Sequence, residues 1–197
     1  MRTLTRLVSG TAATTAILAA GLAGASAQES TVRDRASDVI QYVGEDDETG
    51  TILGYQPSLD TGTDLRSMRV LHGSSSVTVT LKFAELDHHG ADIVMLFRES
   101  GQKDINRLLF NIGKKSAVVI SPGGSLKCTV GLSVQTGTKG HIYTKIKRKC
   151  LSNPVKLKAA AIVGRTTGTE DEPISFIDYV SPTNFRTPAW TPWLKRG

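Results

Sequence analysis

Alternation of apolar and polar residues is the dominant pattern in this chain, and its period of two is typical of β-strands. The stretch Val77-Thr-Val-Thr-Leu-Lys-Phe83 alternates without interruption, which predicts a strand with one face in the core and one in water. The pattern recurs over 126–134 and 155–163. The continuously apolar run Ile93-Val-Met-Leu-Phe97 predicts a strand buried on both faces, in a central position.

Turn-forming residues separate these segments. Pro122-Gly-Gly-Ser125 and Thr136-Gly-Thr-Lys-Gly140 are tight-turn sequences between strands, and no amphipathic helical pattern of ten or more residues follows the N-terminal region. Short strands with frequent turns predict an all-β protein. We expect an antiparallel β-sandwich of about 8–9 strands, with jelly-roll or immunoglobulin-like topology.

The N-terminus has the pattern of a secretory signal peptide. Arg2 and Arg6 precede a short Ala/Leu-rich run that ends at Ala25-Ser-Ala27, a small-residue cleavage signal. Nothing later reaches the roughly 20 apolar residues of a membrane-spanning helix. We therefore predict a secreted, extracellular protein organised as a signal peptide (1–27), a flexible lead-in (28–38) and one sandwich domain (39–197) with an irregular Trp/Pro-rich tail.

The charge balance is mildly basic. Without Arg2 and Arg6, 22 basic residues face 18 acidic ones, a net charge of +4. This permits attraction to anionic wall polymers or phosphates, but it is too small to predict a nucleic-acid partner. We interpret it chiefly as a solvated surface. In the basic run 145–149, Lys145 and Lys147 are expected to face solvent from a strand, before a short turn begins.

The chain contains two cysteines, Cys128 and Cys150. In an exported protein an even number favours pairing, and Cys128 falls among the inward positions of its predicted strand. No further soft metal ligand lies near them in the sequence. We predict a disulfide that closes a loop of 22 residues and contributes about 3 kcal/mol by restricting the unfolded chain.

A family resemblance rests on three segments. Asp64-Leu-Arg-Ser-Met-Arg-Val-Leu-His-Gly73, the late segment 142–154 with its Arg-Lys-Cys-Leu-Ser-Asn-Pro ending, and Trp190-Thr-Pro-Trp193 resemble small exported β-sandwich proteins of actinobacteria. The resemblance runs from about Asp46 to the end, and it implies fold and export rather than an activity. More distantly, the strand order resembles DOMON and related carbohydrate-binding sandwiches, which bind sugars or haem; their site residues do not carry over.

Two groups of residues are weak candidates for metal ligands, although we predict neither a metal nor a cofactor. Adjacent histidines on a turn can bind Zn²⁺ or Cu²⁺, but neighbours on an extended chain point apart. Carboxylates in loops suit Ca²⁺, yet their spacing matches no EF-hand. The candidates are His88, His89 and Asp87 at one predicted turn, and Asp46, Asp60 and Asp64 in loops before the first long strand.

Trp190 and Trp193 are the candidate ligand-binding residues, because flat indole faces stack on sugar rings. The alternative, which we favour, is that the proline-stiffened tail folds back and the indoles cover the sheet. No nucleophile-and-base motif is present, and Glu85, Asp92 and Glu99 give only a weak indication of a catalytic carboxylate pair.

These observations predict an exported, non-catalytic binding or interaction module for cell-wall or extracellular polysaccharide, with the ligand itself unidentified. The alternatives are a secreted hydrolase with a carboxylate pair and an exported inhibitor or cell-surface structural protein. A nucleic-acid partner and a membrane span in the mature chain are not expected.

Overall fold

The computed structural model describes residues 26–87 and 91–197. Over these residues the chain is predominantly β, as the alternation predicts, with one short helix, α1 (Tyr55–Asp60), and one 3-10 turn (Arg148–Leu151). The predicted signal peptide, apart from its last two residues, lies outside the described residues. No helix in the described ranges is long and apolar enough to cross a membrane.

The described residues form fifteen strands, more than the 8–9 expected. The strands predicted over 77–83, 93–97, 126–134 and 155–163 are present with boundaries shifted by a few residues. Four of the fifteen strands are only two residues long. The strands are β1 (Gln28–Arg33), β2 (Ile40–Val43), β3 (Thr51–Ile52), β4 (Leu65–His72), β5 (Ser76–Phe83), β6 (Glu85–Leu86), β7 (Asp92–Glu99), β8 (Ile105–Asn111), β9 (Ser116–Ile120), β10 (Leu126–Gln135), β11 (Gly137–Thr138), β12 (His141–Lys147), β13 (Lys156–Gly168), β14 (Pro173–Tyr179) and β15 (Leu194–Lys195).

One curled antiparallel sheet contains most of these strands, in the order β1-β4-β5-β12-β10-β9-β8-β7-β13-β14-β2-β3. Strand β10 joins its two halves: residues 132–135 pair with β12, whereas residues 126–131 pair with β9. We call β1, β4, β5 and β12 the first half, and β9, β8, β7, β13, β14, β2 and β3 the second half. Strands β6 and β11 form a separate two-stranded ribbon.

A single hydrophobic core lies between the two halves. Alternate side chains of β4, β5 and β12 point inward, as do those of β7, β8 and β13, and they belong to one buried cluster. Burying each large side chain contributes about 1.5–3 kcal/mol. Fully buried members from both halves include Met68, Leu81, Ile142, Met95, Phe97, Leu108 and Leu157.

The segment 28–38, predicted to be a flexible lead-in, differs from that expectation. Its first part is strand β1, which pairs along its whole length with β4. Val32 packs against the core on the inner side, while its neighbours Thr31 and Arg33 are exposed. An edge strand with a single apolar anchor has too weak an alternation to be recognised from sequence.

The predicted disulfide is confirmed. Cys128 in β10 and Cys150 in the 3-10 turn are bonded, with their Cα atoms 5.7 Å apart. Cys150 is buried, and Cys128 packs against the core. The bond therefore attaches the turn that follows β12 to the strand that joins the two halves of the sheet.

Replacing both cysteines, Cys128→Ala and Cys150→Ala, is expected to lower the free energy of unfolding by about 3 kcal/mol, because the unfolded chain gains the freedom of the open loop. Guanidinium denaturation followed by circular dichroism measures this loss. A reducing agent should reproduce it in the wild type and leave the double variant unchanged. Equal stability of the two proteins would contradict the prediction.

The C-terminal tail and β4 are joined through His72. This side chain is fully buried, and its Nδ1–H donates to the carbonyl oxygen of Leu194 in β15, at 3.0 Å. Burial lowers the pKa of the His72 imidazole, and the charges of Arg148 and Arg196 lower it further. The folded protein therefore favours neutral His72.

Because the pKa of His72 is lower in the folded than in the unfolded chain, its contribution to stability is present above the unfolded pKa of about 6.5 and is lost as the pH falls below it. His72→Asn, whose amide can still donate to Leu194, removes this titration. We expect the wild type to lose more stability than the variant between pH 7 and pH 5, as measured by urea denaturation at each pH. Parallel pH profiles would contradict this assignment.

Candidate functional site

The outer surface of the first half of the sheet is basic. Arg33 on β1 lies opposite Ser67 on β4, which in turn lies opposite Lys82 on β5. Arg69 on β4 lies opposite Thr80 on β5. On β12, Lys145 and Lys147 lie opposite Thr78 and Ser76 of β5. Side chains at these alternate positions point away from the core. We define the basic face as the outward side chains of Arg33, Arg69, Lys82, Lys145 and Lys147.

Little negative charge opposes this face. Among the outward-facing residues of the four strands the acidic one is Glu29, and the guanidinium of Arg69 holds it, with Nε 2.7 Å from Oε1. This hydrogen bond lowers the pKa of Glu29. Four of the five cations therefore project to solvent without an acidic neighbour on the first half of the sheet.

Tyr143 lies within the basic face. It occupies the outward position on β12 between His141 and Lys145 and is 42% exposed. Side chains two residues apart on a strand are separated by about 6.6 Å. Strand β12 thus presents imidazole, phenol and two ammonium groups in a line, an arrangement that combines an aromatic surface with charge.

The basic face ends in a concavity next to the 3-10 turn. Lys145, Lys147 and Lys149 line it together with Ser75 and Asn153. The expected division of the basic run is present, since both strand lysines are exposed and the turn begins at residue 148.

Arg148 borders the same concavity as these lysines, but it has a structural role. Its guanidinium donates to the carbonyl oxygens of Ser74, Asn153 and Pro154 at 2.8–2.9 Å. It thereby holds the β4–β5 turn against the residues that follow the 3-10 turn.

Trp190 and Trp193 lie on the outer surface of the second half. The tail runs beside β13, where Thr191 N–H donates to the Ala159 carbonyl at 2.9 Å and its hydroxyl accepts from Ala159 N–H at 3.0 Å. The Lys158 ammonium is 5.0 Å from the Trp190 ring centroid and 5.4 Å from that of Trp193. The indoles therefore pack with cations on the sheet, and a sugar-stacking role for them stays a prediction.

Trp190→Ala and Trp193→Ala are expected to destabilise the protein by about 1–3 kcal/mol each, because each removes aromatic contact with Lys158 and loosens the tail. The effect should be larger at Trp190, the more buried of the two, which Arg98 also contacts. Thermal and chemical denaturation measure it. Tyr55→Ala, at a residue 66% exposed, is the matched control and should be neutral within about 0.5 kcal/mol.

Four aspartates form a second unusual feature where the two ends of the curled sheet meet. Asp34 follows β1, Asp38 precedes β2, Asp64 precedes β4, and Asp178 lies in β14. Carboxylate oxygens of Asp34, Asp38 and Asp178 lie within 4.8 Å of one another. Asp38, Asp64 and Asp178 are at least 97% buried. We call these four residues the acidic cluster.

The acidic cluster resists ionisation. Burial and the charge of Asp178 raise the pKa of Asp34. Burial, together with the charge of Asp64, raises the pKa of Asp38 to about 6. The pKa values of Asp64 and Asp178 are raised too, chiefly by burial. Four neighbouring carboxylates with little access to water disfavour a fully charged state unless a positive charge lies among them.

Of the three candidate Ca²⁺ ligands from the sequence, Asp46, Asp60 and Asp64, the structure places only one in the acidic cluster. Asp64 belongs to the acidic cluster. Asp60 instead accepts a hydrogen bond from Gln56 at the surface, and Asp46 lies in an exposed loop that its neighbour Asp47 organises by accepting from the N–H groups of Val43, Thr49 and Gly50. Asp34, Asp38 and Asp178 were not among the sequence candidates, because Asp178 lies 140 residues beyond Asp38 and only the fold brings it to the other two.

The other sequence candidates lie elsewhere. His88 and His89 are outside the described residues, and Asp87 forms an ion pair with Arg165 at 2.6 Å. Asp92 and Glu99 are on opposite faces of β7 and about 23 Å apart along the strand, so they are not a catalytic pair, which requires roughly 5–9.5 Å. Glu99 accepts from Asn106 at 2.6 Å, and Glu85 pairs with Thr138 in the small ribbon.

Comparisons of the chain with protein-family models, with curated proteins and with solved structures give no match. Any functional conclusion therefore depends on the residues themselves.

Proposed function

We propose that this protein is an exported, non-catalytic module that binds acidic polysaccharide of the cell wall or the extracellular matrix through the basic face. The observation that carries the proposal is the alignment of five cationic side chains on one side of four adjacent strands. The signal-peptide pattern supports an extracellular ligand, and two facing sheet halves over one core support classification of the fold as a β-sandwich.

The chemistry of the basic face suits a polymer better than a small molecule. Its lysines and arginines are spread over a broad sheet surface rather than enclosed, so each gives a weak, solvent-exposed contact with a carboxylate or phosphate. A polymer with repeated anionic groups makes several such contacts at once, and linked contacts raise the overall affinity. Tyr143 adds an aromatic surface on which a sugar ring can pack.

The small net charge of the chain is compatible with this proposal. Acidic residues are concentrated in the 45–48 and 170–172 loops and in the buried acidic cluster, away from the outward positions of β4, β5 and β12. The local field at the basic face is therefore more positive than the overall balance indicates. A ligand with repeated negative charge would experience that local field.

Lys145→Glu combined with Lys147→Glu is expected to weaken retention on an acidic polysaccharide such as polygalacturonate by roughly tenfold or more, because two contacts worth up to about 1 kcal/mol each become repulsive. Affinity electrophoresis or pull-down on the insoluble polymer measures it. Binding of the wild type should also weaken as salt rises, and a neutral polymer such as dextran should not retain it.

The matched control is Lys103→Glu combined with Arg107→Glu, which changes the net charge equally at exposed positions of the second half. It should bind like the wild type. If both double variants lose binding equally, overall charge rather than the basic face is responsible. Loss of binding in Trp190→Ala and Trp193→Ala with the lysine variant unaffected would move the site to the tail.

The hydrolase alternative predicts turnover of glycoside or ester substrates that one carboxylate substitution abolishes. Because Asp92 and Glu99 do not form a pair, that alternative requires carboxylates other than these two acting together. The inhibitor and surface-structural alternatives stay predictions as well.

A further inference from the structure

The acidic cluster lies where four separate segments converge. Asp34 and Asp38 flank the turn between β1 and β2, Asp64 begins β4, and Asp178 is near the end of β14. Backbone hydrogen bonds join the same segments, with Asp34 N–H donating to Arg66 and Arg35 N–H to Ser181. Two strands of the first half and two of the second therefore meet at these carboxylates.

Several of the buried oxygens in the acidic cluster make no hydrogen bond. Both carboxylate oxygens of Asp38, Oδ2 of Asp34 and Oδ1 of Asp64 are inaccessible to water and make no hydrogen bond of normal geometry within residues 26–87 and 91–197. The backbone N–H groups of Arg35 and Ser37 lie near enough to Asp34 and Asp64 to lower their pKa values against the effect of burial. Asp38 is only 3% exposed. Buried polar atoms are normally paired, and a buried unpaired carboxylate is strongly destabilising, so the site calls for a partner that the chain does not supply.

Nearby cations neutralise only part of this charge. The Arg66 guanidinium is 2.8 Å from Oδ2 of Asp64, and Arg35 lies near enough to Asp38 to lower its pKa against the effect of burial. Arg35 is itself exposed. Two guanidinium groups are too few to neutralise four carboxylates, so ionisation of all four requires further positive charge in this water-poor environment, where charge interactions are strong.

Three of the other four carboxylate oxygens are held in place by hydrogen bonds from the chain. Leu65 N–H donates to Oδ2 of Asp178 at 2.6 Å, Ser181 N–H donates to Oδ1 of Asp34 at 2.5 Å, and Arg66 holds Oδ2 of Asp64. For Asp34 and Asp64 one oxygen is thus fixed while the other lacks a partner. This is how outer contacts orient the ligands of a metal ion.

We propose that the acidic cluster is a Ca²⁺-binding site, with Asp34, Asp38 and Asp178 as ligands and Asp64 as a further ligand or an adjacent charge. Exclusively oxygen donors select a hard cation. Ca²⁺ takes oxygens at about 2.3–2.6 Å, so ligands on opposite sides of it are about 5 Å apart. Donor atoms that all lie within 4.8 Å of one another fit that sphere. Mg²⁺ dehydrates reluctantly and is seldom held by a buried set of protein carboxylates alone.

The site is independent of polysaccharide binding and supplies a structural function. A divalent ion here would connect the end of β1 and the start of β4 with the start of β2 and the end of β14. It would thus fasten the first half of the curled sheet to the second at their open ends.

The test is titration of the purified, chelator-treated protein with CaCl2 by isothermal calorimetry and by thermal denaturation. We expect one Ca²⁺ per chain and a midpoint that rises by about 5–10 °C when free Ca²⁺ is a hundredfold above its Kd. MgCl2 at equal concentration should give a smaller rise. No heat and no shift with Ca²⁺ would overturn the proposal, and Mg²⁺ binding as tight as Ca²⁺ would overturn the choice of ion.

Asp38→Asn locates the ion. It preserves shape and removes one charge, so Ca²⁺ affinity should fall at least tenfold, while the midpoint without Ca²⁺ should not fall, because an unpaired buried charge has gone. Asp34→Asn should behave alike. Asp60→Asn, at the surface, is the control and should bind Ca²⁺ as the wild type does, as should the Lys145→Glu/Lys147→Glu variant. Undiminished Ca²⁺ binding by both cluster variants would overturn the location.

Discussion

The two ends of the curled sheet meet in this protein, and the polar residues buried at that junction are the main physical constraint on the fold. The outermost strands of the first half are β1 and β4, and those of the second half are β14, β2 and β3. The acidic cluster is buried where β1, β4, β14 and β2 approach one another. Apolar residues would serve this purpose at lower electrostatic cost. The presence of four aspartates therefore indicates that a positive charge participates in closing the sheet.

Three long-range connections restrain the sheet at different places, and each uses different chemistry. The Cys128–Cys150 bond fixes the turn after β12 to β10. The tail bridges β13 and β4 through backbone pairing at Leu157 and the hydrogen bond between His72 and Leu194. The acidic cluster links the strand ends. None of these three connections covers the basic face, so the outer surface of the first half is available for a ligand.

The sequence was sufficient to predict the strongly periodic part of the fold. Alternation located β5, β10 and β13, and a continuous apolar run located β7. Inward placement of Cys128 with an even cysteine count led to the disulfide. Strands β3, β6, β11 and β15 have two residues each, too few for any period to be visible. Strand β14 was missed because Phe176 and Ile177 are adjacent apolar residues, which interrupts the alternation after three positions.

The candidate sites were harder to predict, since both depend on register rather than on local pattern. Lys82 and Lys145 belong to one surface only because β5 and β12 pair with Lys82 opposite His141. Asp34 and Asp178 are separated by most of the chain. Asp34 lies in a polar stretch that resembles a solvated loop or edge, whereas Asp178 lies in a largely apolar strand. Of the four aspartates, Asp64 alone was a candidate metal ligand from the sequence, because carboxylates in loops suit Ca²⁺. The same reasoning selected Asp60, which is exposed.

Segregation of charge explains why the overall balance is a poor guide to the local charge at each site. A net charge of +4 over residues 28–197 averages a surface of five aligned cations with a buried group of four carboxylates. The two groups are governed by different physics: exposed cations interact weakly, through water and salt, whereas buried carboxylates interact strongly with whatever lies beside them. A chain of nearly balanced composition can therefore present one surface suited to a polyanion and one interior site suited to a cation.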